Sequence, residues 1–279
     1  MNSKMKYKRY LFLLSIALFS LGSTLRFIRK YTDDFVFSIF LFFALGPYVS
    51  HLSAMKQWLA IAILTYAIEA LIKKRYLLYF ILVFIAVLFH TYAIFFVILP
   101  LFVCKPWTFV TYLTIVAVIF ALFFFESAIT AFLSAADSAG KHVSEEVVLD
   151  GGGINLFRLA VYAVPVIISF AFIEHTPDLY DTPNSIFMNM SILSFFIMSL
   201  GIFHAANLFG RSAMYFVIGT VIILPSLIKE IFDKIATRFI NLSAFICYLG
   251  FFWYSILEFD AQYRAIGFFK FIYEITIGR

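Results

Sequence analysis

The stretch YLLYFILVFIAVLFHTYAIFFVILPLFV, residues 76–103, carries no charged residue and only one histidine, His90. As one straight helix it would measure about 42 Å at ~1.5 Å per residue, against a bilayer hydrocarbon core of about 30 Å. It must tilt strongly or break. The flanking charges choose between these options. Lys73, Lys74 and Arg75 precede the stretch, and a later loop carries Lys229, Lys234 and Arg238. Basic loops stay on the cytoplasmic side, so both clusters belong on one face. Ordinary apolar spans at 107–125, 154–174, 186–204 and 211–228 lie between them. One more crossing would put the clusters on opposite faces, whereas a hairpin keeps them together. The stretch is therefore predicted to enter and return, with His90 near its tip. Each arm of roughly 13 residues reaches only about 20 Å. Backbone broken at that depth requires a protein-lined or watery cavity.

The rest of the chain agrees with a membrane setting. Of its 279 residues, 63% are hydrophobic and 13% charged, and the mean hydropathy is +0.98; soluble domains average roughly 25% charged residues. Further apolar windows fall at 10–26, 35–52, 54–72 and 239–257. The expectation is an all-α polytopic membrane protein with about eight transmembrane helices plus the broken hairpin, forming one domain over 1–279. The net charge of +5 sits in short clusters between apolar runs, so it reads as a topology signal and not as a nucleic-acid surface. Cys104 and Cys247 lie in or beside apolar segments and read as packing residues. The run after Lys4, Lys6, Lys8 and Arg9 lacks a small-residue cleavage site and reads as a retained span. Arg26, Arg29 and Lys30 then fall inside, which leaves those first four cations outside, against the rule. Residues 126–153 form the expected extracytoplasmic loop, with Gly151, Gly152 and Gly153 as a hinge, and 258–279 an interfacial amphipathic tail.

Polar residues that are costly in lipid are the candidate functional groups. Lys56 and Gln57 open the third span beside Trp58; Arg211 precedes Tyr215 by four residues, and Arg158 precedes Tyr162 by the same spacing. The topology puts all three cations at the outer face, which suits a polyanion such as pyrophosphate, because guanidinium groups hold phosphate bidentately. His90 is the candidate general base, with Glu146 and Asp150 on the outer loop as competitors. His204 and Asn207 precede Arg211, Asn207 as a helix cap. Glu69 stands four residues before Lys73, the spacing of a structural ion pair. The asparagines of Asn189-Met-Ser and Asn241-Leu-Ser lie in apolar spans and are discounted as glycosylation sites. No spacing of metal ligands or cofactor motif occurs, so neither metal nor cofactor is expected.

Met55-Lys-Gln-Trp-Leu-Ala60, a basic turn, Ala86-Val-Leu-Phe-His-Thr-Tyr-Ala93 and Arg211-Ser-Ala-Met-Tyr215 with Ile-Leu-Pro225 resemble the signature of the EpsG family of bacterial exopolysaccharide polymerases, related in role to Wzy proteins. The resemblance covers about residues 26–228. It departs at Lys56, where the family usually has Arg, and in lacking spans that precede 10–52 in the family. The resemblance implies a GT-C-like architecture in the bacterial cytoplasmic membrane and polymerisation of undecaprenyl-pyrophosphate-linked repeat units at the outer face, alongside other polysaccharide-assembly proteins. A pyrophosphate cradle of Arg211, Arg158 and Lys56 would serve that reaction, with His90 as base and Gln57, Tyr162 and Tyr215 beside the substrate. Two further readings use the same cations: a transporter or flippase for a lipid-linked oligosaccharide, and a non-catalytic subunit of a glycan-assembly complex.

Overall fold

The computed structural model describes residues 3–138, 152–176, 179–203 and 205–263. Among these there are helices and no strand: α1 (Ser3–Tyr31), α2 (Phe35–Ala44), α3 (Pro47–Ser53), α4 (Met55–Ile72), α5 (Tyr76–Phe89), a 3₁₀ arm (Thr91–Phe102), α6 (Phe109–Ser138), α7 (Leu156–Ala171), α8 (Thr182–Ser199), α9 (Ala206–Ala213), α10 (Val217–Ile231) and α11 (Lys234–Tyr263). The core lies along α4, α8 and α10; from Val217 to Ile228 every residue of α10 is buried. A helix apolar all round belongs inside, and this one sits there. Gly219 is where α10 crosses α8: a side chain there would put its Cβ 2.5 Å from the Phe187 carbonyl oxygen. Helices meet this closely only over a small residue. Helix α11 stands at the surface: in its apolar 24-residue stretch Lys234–Leu257 only Tyr248 and Phe251 are buried.

The predicted break falls at His90. Helix α5 ends at Phe89, and His90 is extended, with φ −153° and ψ 117°. The chain then doubles back, because the hydroxyl of Tyr79 donates to the carbonyl oxygen of Phe96, a residue that a straight helix would place about 25 Å away. The returning arm reads in threes: Ala93, Phe96, Leu99 and Phe102 are its buried residues, the period of a 3₁₀ helix. Runs of this length are uncommon in that geometry. Asn189 of α8 secures the far end, its side-chain amide donating at 2.8 Å to the carbonyls of both Phe102 and Cys104. Asn189 is wholly buried, in keeping with its exclusion as a glycosylation site.

The basic clusters share one end of the bundle, the relation on which the hairpin prediction rested. Arg26 and Lys30 of α1 pair with Glu69 of α4 at 3.0 and 3.1 Å, next to the Lys73 turn. Lys229 donates to the carbonyl of Asp33 at 2.8 Å, just beyond α1. Glu69 thus joins two helices instead of pairing with Lys73.

The eight spans require correction. Among the described residues three helices are long and apolar enough to cross a membrane, or up to five if each bent pair is one span. The 35–52 window breaks between α2 and α3 by 55°, and the 211–228 window breaks between α9 and α10 by 52°. Gly46, at φ 95°, and Pro47 account for the first break, since glycine tolerates that angle and proline starts a new helix. Helix α6 continues to Ser138, into the 126–153 segment, of which 139–151 lie outside the described residues. Both thiols are free. Residues 264–279 of the expected tail lie outside the described residues, and the helix before them runs on to Tyr263.

With Cys104 and Cys247 replaced by Ser, single cysteines at the exposed positions Lys74 and Lys234 should respond alike to an impermeant maleimide added outside cells. A cysteine at exposed Asn207 should respond oppositely. Different labelling of positions 74 and 234 would contradict the fold.

Candidate functional site

Helix lengths set the depth of the site. From the basic end, α5 rises about 21 Å to His90 and α4 spans about 27 Å to Lys56, while α10 rises about 22 Å to the break that carries Tyr215. Lys56, Gln57, His90, Arg211 and Tyr215 thereby meet at the end opposite the basic clusters. The hydroxyl of Tyr215 and Nδ1 of His90 are 2.7 Å apart. The positive charges of Arg211 and Lys56 both act on the His90 ring. Tyr215 is buried, His90 half-buried, and Arg211 and Lys56 exposed. Two cations thus stand open beside a histidine whose ring is held from behind.

The sequence placed Tyr215 one helical turn from Arg211. In the structure α9 ends at Ala213, and the Tyr215 hydroxyl meets His90 across the bundle. Gln57 is 2% exposed, and its amide nitrogen donates at 2.9 Å to the backbone carbonyl of Arg211. Tyr162 is buried, and its hydroxyl donates at 2.8 Å to the carbonyl of Leu45, beside the α2–α3 bend. Arg158, half-buried near the start of α7, acts electrostatically on Tyr162.

Glu146, Asp150 and His204 lie outside the described residues. Gly152, two residues after Asp150, accepts at 3.1 Å from the amide of Ala206, the first residue of the helix that carries Arg211. Of the three glycines expected to form a hinge, Gly153 is closely packed, since a Cβ there would lie 2.1 Å from the carbonyl oxygen of Ile202, whereas Gly152, at φ 61°, is exposed with open space around it, and Gly151 lies outside the described residues. Asn207 is not the cap of α9. That position is Ala205, in the left-handed conformation at φ 57° and without a side-chain cap.

Two features escaped the sequence reading. The rings of Tyr92 and His90 stand nearly perpendicular with centroids 5.2 Å apart, and the signal for Tyr92 was proximity to the hairpin tip. His51, buried at 6% exposure, meets the hydroxyl of Ser20 at 2.7 Å. The rule that singled out His90 also applies to this histidine.

The family model described as "EpsG family" matches residues 4–273, nearly the whole chain. No curated protein and no solved structure matches.

Replacing Tyr215 by Phe should leave Nδ1 of His90 without its partner and cost about 1–3 kcal/mol of stability, the range for a polar group stranded without a hydrogen bond. Thermal unfolding in detergent measures this, and ¹⁵N spectra of the His90 ring should change with it. Wild-type stability with unaltered ring signals would contradict the contact.

Proposed function

The chain belongs to the EpsG family, and from that premise we propose that it is a membrane-embedded polysaccharide polymerase of exopolysaccharide assembly. The observation that carries this reading is the 2.7 Å contact between Tyr215 and His90 beside the charges of Arg211 and Lys56. The substrates are glycans linked to undecaprenyl pyrophosphate in the bacterial cytoplasmic membrane. The basic clusters at the other end put the site at the outer face, by the positive-inside tendency. The lipid tail of each substrate stays in the bilayer, entering between helices.

In the proposed step the acceptor hydroxyl oxygen attacks the anomeric carbon of the donor glycan. The bond from that carbon to the pyrophosphate oxygen breaks, its electron pair leaves with the pyrophosphate, and the hydroxyl proton passes to Nε2 of His90. Nε2 can take this proton only if the ring's own proton is on Nδ1, donated to the Tyr215 oxygen. The base role therefore requires that the Tyr215 oxygen accept from Nδ1 and not donate to it. Negative charge grows on the leaving pyrophosphate in the transition state, where fixed cations stabilise it most. Arg211 offers two parallel N–H donors to one phosphate; Lys56 supplies a point charge.

Arg158 is assigned to the approach of the anionic carrier, and Tyr162 supports it by holding the α2–α3 bend. Gln57 contributes through Arg211, to whose carbonyl it donates. Glu146 and Asp150 remain competitors for the base role. Other polysaccharide-assembly proteins are the expected partners.

Purified protein given lipid-linked repeat units should make polymer. Arg211→Ala should abolish it at normal membrane levels, since a charge-assisted contact is worth about 1.5–3 kcal/mol; Arg211→Lys should restore part. His90→Gln should bind repeat units yet polymerise about 10²- to 10⁴-fold more slowly. Normal polymer from Arg211→Ala would refute the cradle, and wild-type turnover in His90→Gln would move the base to Asp150 or Glu146. Binding without polymer by folded wild-type protein would favour a transporter or a non-catalytic subunit.

A further inference from the structure

Helix α9, the carrier of Arg211, is eight residues long and is bent away from α10 by 52°. The carbonyls of a last helical turn have no partners within their own helix and must find donors elsewhere. Three of these four are served by the chain that follows: Gly210 accepts from the amide of Met214 at 3.2 Å, Ser212 from Tyr215 at 3.3 Å and Ala213 from Phe216 at 3.0 Å. The fourth is the carbonyl of Arg211 itself, and its donor is the side-chain amide of Gln57 at 2.9 Å. Gln57 follows Lys56 in the first turn of α4, and burial keeps water from replacing it.

We infer that Gln57 is a positioning residue which, by donating to the Arg211 carbonyl, fixes Arg211 against Lys56 so that both cations engage one diphosphate. The inference rests on the proposed reading in taking the anion to be a pyrophosphate. The other described bonds of α9 join it to elements that carry neither Lys56 nor His90, such as that from the amide of Ala206 to the carbonyl of Gly152 at 3.1 Å. The first turn of α9 has no side-chain cap, and the hydroxyl of Ser194, which reaches the neighbouring carbonyl of Ala213 at 3.1 Å, comes from α8 and bears no relation to Lys56. The amide of Gln57 joins the residue next to one cation to the backbone of the other.

The test uses inorganic pyrophosphate, titrated calorimetrically into the purified full-length protein in detergent. Gln57→Met keeps length and removes the donor; it should bind pyrophosphate about tenfold more weakly, the order of one hydrogen bond. Gln57→Asn falls one methylene short of the carbonyl and should weaken binding in the same direction, which keeps the test open if the methionine variant does not fold. Ser194→Ala removes a side-chain hydrogen bond to the same turn and should bind within about twofold of wild type. Added to Arg211→Ala, Gln57→Met should have no further effect, because it acts through Arg211. Undiminished binding in both Gln57 variants overturns the inference, as does a full additional loss in the double variant or an equal loss in Ser194→Ala. Wild-type protein that binds no pyrophosphate overturns the diphosphate reading itself, and this inference falls with it.

Discussion

Every unsatisfied backbone carbonyl in a bilayer is costly, and the 76–103 stretch can break at His90 only because its freed groups find partners. Tyr79 serves the carbonyl of Phe96, and Asn189 serves those of Phe102 and Cys104. These bonds come from the outgoing arm and from α8, so the returning arm is fixed against two different elements. Its apolar face, one residue in three, packs inward over the same length. Phe96 stacks on Phe216 with ring centroids 4.8 Å apart, next to Tyr215. The brace that closes the hairpin therefore also aligns its tip with the α9–α10 break.

The site follows from that alignment. Three interruptions of regular helix supply it or border it: the tip at His90, the α9–α10 break at Tyr215 and the α2–α3 bend at Leu45. Broken helices are tolerated at membrane depth where they face protein or a cavity, and here they bring polar backbone and side chains to one end of the bundle. Arg211 and Lys56 reach that end from different helices and remain exposed. The opposite end carries Arg26, Lys30 and Glu69 as a packed ion cluster, with the Arg26 guanidinium 4.6 Å from the centre of the Tyr66 ring. Cations at the basic end pin helices and orient the protein. Those at the site end are available to a ligand.

The hairpin was legible in the sequence because two coarse signals agreed, namely length against bilayer thickness and the parity of spans between basic loops. That topology led to the expectation that Lys56, Arg158 and Arg211 converge; the structure brings Lys56 and Arg211 to His90. What stayed hidden depended on partners distant in sequence. The spacings of Arg211 to Tyr215 and of Glu69 to Lys73 are ones that a continuous helix brings together, yet Arg211, Tyr215 and Glu69 each found a partner on another element. Gln57 and Tyr162 looked like substrate ligands because polar groups in apolar helices suggest function, although both serve backbone carbonyls at helix ends. The breaks that reduced eight spans to fewer were partly readable, since Gly46-Pro47 is a helix interruption. The α9–α10 break, between Ala213 and Val217, has no such residues.

The doubled-back hairpin is tested most directly by the distance between its two ends. Spin labels at the exposed residues Lys74 and Lys105, in protein with Cys104 and Cys247 replaced, can be read by pulsed electron paramagnetic resonance in reconstituted membranes. Adjacent packed arms lie 8–10 Å apart, so the account predicts a main distance under about 25 Å once label reach is added. A distance near the roughly 46 Å of one uninterrupted helix would contradict it.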